Sequence, residues 1–259
     1  MRDLLISLLA PLPLDFAVAT SGGLDSCTLV AAAVAAGKRP RIVSFTFDDF
    51  ESSDFKHAHA VADHFDLDFE PVLLPSGQKE IIHTITRLIK QYKLSKKARI
   101  ECGFPFFYLA RQLEGQTLVT GLGTDGHFGL SKKAMIHFRE PQEKFDEFRN
   151  AYFANTDAAG KLCIKRICSS FDVDLVNPYF DPKVFHALLG RSWDELNKPR
   201  QKEVLRAAFP ELDSLKLPKH TNLQLGDSQI AERLGATAML YVPGSVSAIG
   251  AYNKIRKQK

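Results

Sequence analysis

The sequence predicts an α/β protein, a doubly wound and mostly parallel five-stranded sheet with a helical C-terminal half. Three observations predict it. From residue 14 onward, β-type runs alternate with helical ones, which is the pattern of βαβ units laid into a parallel sheet. The run RIVSFTF at 41–47 is rich in Val, Ile and Phe, as suits a central strand covered on both faces. Beyond residue 140 the chain turns mostly helical and more polar. At 259 residues with 45% hydrophobic content, the chain has enough material for a real core without staples. The economical division is an α/β part over 1–140 and a mostly helical part over 141–259 that completes the sheet.

The opening MRDLLISLLAPLPLDF is apolar but short, carries Arg2 and Asp3, and lacks a small-residue cleavage site. It reads as a packing helix and not as a signal peptide. LDFAVAT (14–20) is the first strand, followed by Gly22, Gly23 and an Ala-rich helix closed by Gly37; apolar on nearly every side, that helix belongs against the sheet. After the strand at 41–47 comes SDFKHAHAVADHF, with Ser53 or Asp54 as N-cap and Phe55, Ala58, Ala62 and Phe65 on one stripe. LDFEPVLL (67–74) is the third strand; 80–94 and 104–115 are helices, the second ending at Gly115. QTLVTGL (116–122) is the fourth strand and runs into a glycine turn, 141–170 is helical, and 172–180 is a fifth strand ended by Pro178. Asp181 as N-cap and Pro182 at the first helical position open a helix closed by Gly190, and another helix begins near Pro199.

Composition excludes several classes. Cys27, Cys102, Cys163 and Cys168 are too few and too scattered for a disulfide framework, so a reducing, cytoplasmic compartment is expected. No Cys or His pair completes a zinc site with Cys163 and Cys168. His57, His59 and His64 share a helix but read as solvated or capping residues, and no apolar run is long enough to span a bilayer. The net charge is +4, much of it in Lys254, Arg256, Lys257 and Lys259. That is a solvated tail before it is a nucleic-acid arm.

The most informative string is AVATSGGLDSCTLV (17–30), where a strand ends in two glycines and a helix starts at once. Gly22 and Gly23 let backbone approach a ligand, and the free amides and dipole of the helix favour an anion. Phosphate is the natural occupant, with Ser21 and Ser26 as hydroxyl donors. Asp25 puts a carboxylate beside it, a repulsion that magnesium resolves. No Gly-x-x-x-x-Gly-Lys-Ser/Thr loop is present, so transfer of a γ phosphate in that manner has no support.

The Ser-Gly-Gly-Leu-Asp-Ser string resembles the pyrophosphate-binding loop of the N-type ATP pyrophosphatases, the PP-loop superfamily. Leu24 and the downstream segments are most similar to the synthetase domain of asparagine synthetases and β-lactam synthetases. FTFDDFESSDFKHAHAVADHF, LVTGLGTDGHFG, VNPYFDPKVF, QKEVLRAAFPEL and LPKHTNLQLGD follow in the family's order, from about residue 14 to 230. The resemblance implies an adenine nucleotide alpha hydrolase-like fold, with ATP and Mg2+ as cofactors and Ser21 to Ser26, Thr120 and Gly121 binding the nucleotide. It implies that Asp25 and Asp125 share magnesium, that Lys219 stabilises the separating phosphates, and that residues 141–259 form the substrate side of the cleft. The reaction implied is adenylation of a small carboxylate followed by attack of an amine or ammonia. Where the family has a glutamate and a second acidic residue, this chain has Leu122 and Gly126. That puts asparagine formation in doubt and leaves ATP cleavage intact. His127 is the candidate replacement base.

With so few residues before the first strand, and Arg2 where the family's glutaminase domain has its cysteine, no glutaminase domain is expected. Ammonia is therefore expected from solution, from a separate supplying subunit or from the substrate; a homodimer is compatible. Three alternatives stay open. GLGTDG (121–126) also fits a Gly-x-Gly-x-x-Gly dinucleotide turn. The acceptor could be a nucleobase or tRNA, although paired cysteines and an RNA-binding domain are not evident. Leu122 and Gly126 also fit a degenerate nucleotide-binding module.

Overall fold

A computed structural model of the chain describes residues 1–215, 217 and 227–258, without the side chains of Lys132 and Lys133. Five strands form one sheet: β1 (Ala17–Ala19), β2 (Arg41–Phe47), β3 (Phe69–Leu74), β4 (Thr117–Val119) and β5 (Asp174–Val176). Their order is β3-β2-β1-β4-β5 and every pairing is parallel. The predicted doubly wound sheet is therefore present, and it is parallel throughout.

Successive side chains of a strand face opposite sides, and here each side has its own core. Val18, Ile42 and Val119 face a core shared with the helices Leu24–Ala35 and Ser53–Phe65. Ala17, Val43 and Leu118 face another, shared with Gln78–Lys90 and Lys97–Gln112. The C-terminal half feeds both: Lys161–Ser169, Ile230–Tyr241 and Ala248–Lys257 pack on the second core, Pro182–Leu188, Trp193–Asn197 and Glu203–Ala208 on the first. The opening helix Arg2–Leu9 buries Leu5 and Leu9, the packing role read from its sequence.

Boundaries moved where pairing or capping chemistry decides them. β1 and β4 are three residues each, shorter than their apolar runs, because the chain leaves the ladder to build loops. β5 stops at Val176, and Pro178–Phe180 forms a 3-10 turn, since proline has no N–H to donate to a ladder. The cap of Ser53–Phe65 is Ser52, whose Oγ accepts the amide of Phe55 at 3.3 Å, one residue earlier than expected. The helix Lys97–Gln112 starts before the aromatic run that suggested it and passes through Pro105. Asp181 caps as expected, its carboxylate accepting the amide of Lys183 at 2.8 Å. At the N-terminal end of the strands, Arg41 reaches Asp15 at 2.9 Å and also bonds Glu70 and Gln116, so one guanidinium spans four neighbouring strands. No helix among the described residues is long and apolar enough to cross a membrane.

Candidate active site

The strand order reverses between β1 and β4, and in open parallel sheets a ligand crevice forms at the C-terminal ends of the strands flanking such a point. The two loops that leave those ends are 20–23 and 120–123. In the first, Gly22 has φ +71°, and a Cβ there would lie 2.2 Å from the Cβ of His57. Any side chain would thus collide with the helix Ser53–Phe65, so Gly22 serves loop packing as well as ligand approach. Gly23 is the N-cap of Leu24–Ala35, with extended φ −77°, and its amide points at Ser21 Oγ, 3.4 Å away. Ser26 donates back to the Gly23 carbonyl at 3.1 Å. Leu24 is buried in the core, so it anchors the loop and offers a ligand only its backbone. The result is a twelve-residue helix whose N-terminus opens at the crevice, an arrangement that favours anions.

The second loop is pressed against the first. A Cβ on Gly121 would stand 3.2 Å from that of Asp25. Thr120, 2% exposed, spends its hydroxyl on Asn177 Oδ1, and Thr124 Oγ1 donates to the Gly121 carbonyl at 2.7 Å to close the turn. Gly123, at φ +97°, lies under the ring of Phe180, and Gly126 lies under the ring of Tyr152. That ring fills the room an acidic side chain at 126 would need. Its phenol is pushed up to about 12 by burial and then by Asp125, so it stays protonated. Leu122 leans on the core beneath the sheet.

Where the loops meet, Asp25 and Asp125 converge on one residue that the sequence reading gave no role. Lys202 Nζ lies 2.6 Å from both oxygens of Asp25 and 2.7 Å from Asp125 Oδ1. Its side chain is 4% exposed, against 21% and 40% for the carboxylates. Burial pulls the ammonium's pKa down, but Asp25 and Asp125 outweigh it and leave it raised, so Lys202 is charged. Its backbone is left-handed, at φ +58°, and its amide donates to Asn197 Oδ1 at 3.1 Å. Asn197 in turn donates to the carbonyls of Phe128 and Trp193, each at 3.0 Å. The lysine's seat is thereby tied to the turn that carries Asp125. Below Asp25, Tyr179 Oη donates to its carbonyl at 3.2 Å. The only advance sign of Lys202 was its place at the head of KEVLRAAF.

Two carboxylates within reach of one nitrogen are hard oxygen donors suited to magnesium. Among the described residues, no cluster of three His, Cys, Asp or Glu joins them. Magnesium held by one or two carboxylates takes its remaining ligands from phosphate and water, so the pair fits a metal that arrives on a nucleotide. Lys219 lies outside the described residues.

His127 does not stand at this site. It is fully buried, its Nε2–H donates to the carbonyl of Tyr179 at 2.7 Å, and its ring stacks on Phe153 at 4.1 Å. Burial lowers its pKa to about 4, against the pull of the Tyr179 carbonyl. Sealed from the crevice, it cannot collect a proton from a substrate; it packs the turn. Beyond Phe180, a cleft of about 380 Å3 opens at the end of β5, lined by Lys161, Lys165, Asn177 and Asp181 among others. The Lys161 ammonium sits 4.5 Å over the Phe180 ring, a cation–π contact.

Compared with profiles of known families, residues 15–163 match asparagine synthase. This chain belongs to the asparagine synthase family. The match spans β1 through the start of Lys161–Ser169 and so contains both loops of the crevice. As an asparagine synthase family member it carries a PP-loop domain of the ATP-using kind, and residues 21–26 lie within the matched segment. Among solved structures, NMN synthetase from Francisella tularensis aligns over 100% of this chain and 95% of its own, at 11% identity and TM-score 0.37. A predicted subunit of tRNA methyltransferase from Methanocaldococcus jannaschii aligns over 76% of this chain and 87% of its own, at 16% identity and TM-score 0.38. Likenesses this distant carry no reading of substrate. No curated protein matches the sequence.

Proposed function

We propose that this asparagine synthase family member is an AMP-forming ligase that makes a C–N bond in the cytoplasm. The observation that carries the reading is the convergence of Asp25 and Asp125 on the switch point, beside the open N-terminus of Leu24–Ala35. A triphosphate seated there meets the helix dipole and the Lys202 ammonium. Asp25 and Asp125 would hold magnesium, which when bound supplies charge neutralisation to the pyrophosphate. A carboxylate oxygen attacks the α phosphorus, the bond to the bridging β oxygen breaks, and pyrophosphate leaves. Charge that builds on the leaving group in this step faces Lys202, and such preorganised cations lower barriers. Lys219 is proposed to join it.

The acyl adenylate then meets a nitrogen nucleophile, which bonds to the acyl carbon, loses a proton to water and expels AMP as the bond from acyl carbon to phosphate oxygen breaks. The carboxylate is proposed to approach from the side of Phe180, where Lys161 and Lys165 attract an acid. With Leu122 on the core and His127 sealed, the nucleophile is proposed to arrive already unprotonated. The test is magnesium-dependent release of AMP and pyrophosphate from ATP across a panel of carboxylates and amines. ADP and inorganic phosphate as products would overturn the reading.

A further inference from the structure

Lys202 puts an ammonium where a divalent cation would have to sit. Among the described residues, the three short polar contacts of its ammonium go to the two carboxylates that suit a metal, two to Asp25 and one to Asp125. Its seat is set by burial and by the bond from its own amide to Asn197. We propose that Lys202 is an internal counter-ion that excludes divalent metal from the Asp25–Asp125 pair until a nucleotide arrives, so that metal entry depends on nucleotide. The proposal rests on the ATP reading above.

The argument is one of exchange. A metal ion arriving alone gains two carboxylates but strands a buried ammonium without a counter-charge, and removing one partner of a buried ion pair is strongly unfavourable. Nor do the two carboxylates fill its coordination shell, and magnesium gives up water reluctantly. A polyphosphate changes both terms. Its oxygens offer Lys202 a charge-assisted partner of equal quality, and they supply the ligands that the protein lacks. The carboxylates, 21% and 40% exposed, are then open to the metal from the crevice side. Lys202 thus changes partners without leaving its seat, and nucleotide and metal enter together.

The test uses the full chain with Mn2+ as the probe, its free concentration followed by electron paramagnetic resonance. For the wild type, Mn2+ alone is expected to stay free, and adding α,β-methylene-ATP, which resists cleavage at the relevant bond, is expected to recruit it. Lys202→Met is expected to bind Mn2+ without nucleotide at least about tenfold more tightly than the wild type, the scale of neighbouring-group effects on metal sites. Lys202→Arg, which keeps the charge, is expected to keep the exclusion. Adding Asp25→Asn to Lys202→Met should abolish the gain and so locate it. Equal Mn2+ binding by the wild type with and without nucleotide, or no gain in Lys202→Met, overturns the proposal. If Lys202→Met fails to fold by circular dichroism, Lys202→Gln carries the same comparison. Calorimetric titration with α,β-methylene-ATP separates the two readings: no nucleotide binding sinks the ATP reading, whereas binding with unchanged Mn2+ affinity sinks only this one.

Discussion

Arg149 and Lys202 are both cations taken almost wholly out of water, at 1% and 4% exposure, and they are held in opposite ways. Arg149 bonds Asp146, three residues earlier on its own helix, and donates to the carbonyls of Leu188 at 2.7 Å and Arg191 at 3.1 Å. Lys202 reaches carboxylates 177 residues away in Asp25 and, in Asp125, on a different loop. Burial wins at Arg149 and lowers its pKa against Asp146; at Lys202 the paired carboxylates win and raise it. The contrast teaches that burial alone does not mark a functional charge. Arg149 is held by Asp146 and by two carbonyls that do not face the crevice, so it closes a corner. Lys202 is satisfied by groups that face the crevice and have another use.

The largest effect expected from this contrast is on turnover. Asp25→Asn should lower pyrophosphate release about a thousandfold, as loss of a charge-stabilising group does, and should also lower the denaturant midpoint, because the buried Lys202 ammonium keeps only Asp125 as a counter-charge; steady-state assays on the folded fraction and urea unfolding check both. Arg149→Met should touch stability alone. Breaking its buried pair should cost about 3–5 kcal/mol of stability, read from urea unfolding, while the folded fraction keeps wild-type turnover. Lost turnover at full stability would erase the distinction between the two cations.

His127 gives an intermediate effect. Its folded pKa, about 4, lies below the ordinary value near 6.5, so the native state holds it neutral while the unfolded chain takes a proton. Its contribution is complete above pH 6.5, is lost as pH falls toward 4, and amounts to about 3 kcal/mol. His127→Gln keeps a donor for Tyr179 and should flatten the stability profile across that window. The smallest effect is Lys202→Met on stability, about 1–2 kcal/mol, because the carboxylates left behind reach solvent and rehydrate. A loss as large as that of Arg149→Met would make Lys202 a second structural cation.

The sheet was legible because alternating runs survive translation into parallel strands: Val18 and Ala17 announce two faces, and the structure gives them two cores. Strand ends were less legible, since Asn177 beyond β5 accepts the hydroxyl of Thr120 beyond β4, a side-chain bond that no local pattern shows. The Ser21–Ser26 loop was readable for the same local reason as the sheet. Lys202 was not, because its meaning lies in contacts with residues 77 and 177 positions earlier. His127 misled for the complementary reason. Its neighbours Tyr179 and Phe153 come from distant segments and close over it. Gly126 read as a missing acid, yet in space it is the floor beneath Tyr152.

The guanidinium of Arg41, clasped to Asp15, Glu70 and Gln116, divides the sheet mechanically. It works as a buckle across the base of four strands and adds to the backbone pairing there. Ile42 beside that clasp and Thr20 at the opposite end of β1 both donate their amides across the sheet, at 2.8 and 2.9 Å, so slower amide hydrogen exchange at Ile42 than at Thr20 is the expected mark of the buckle.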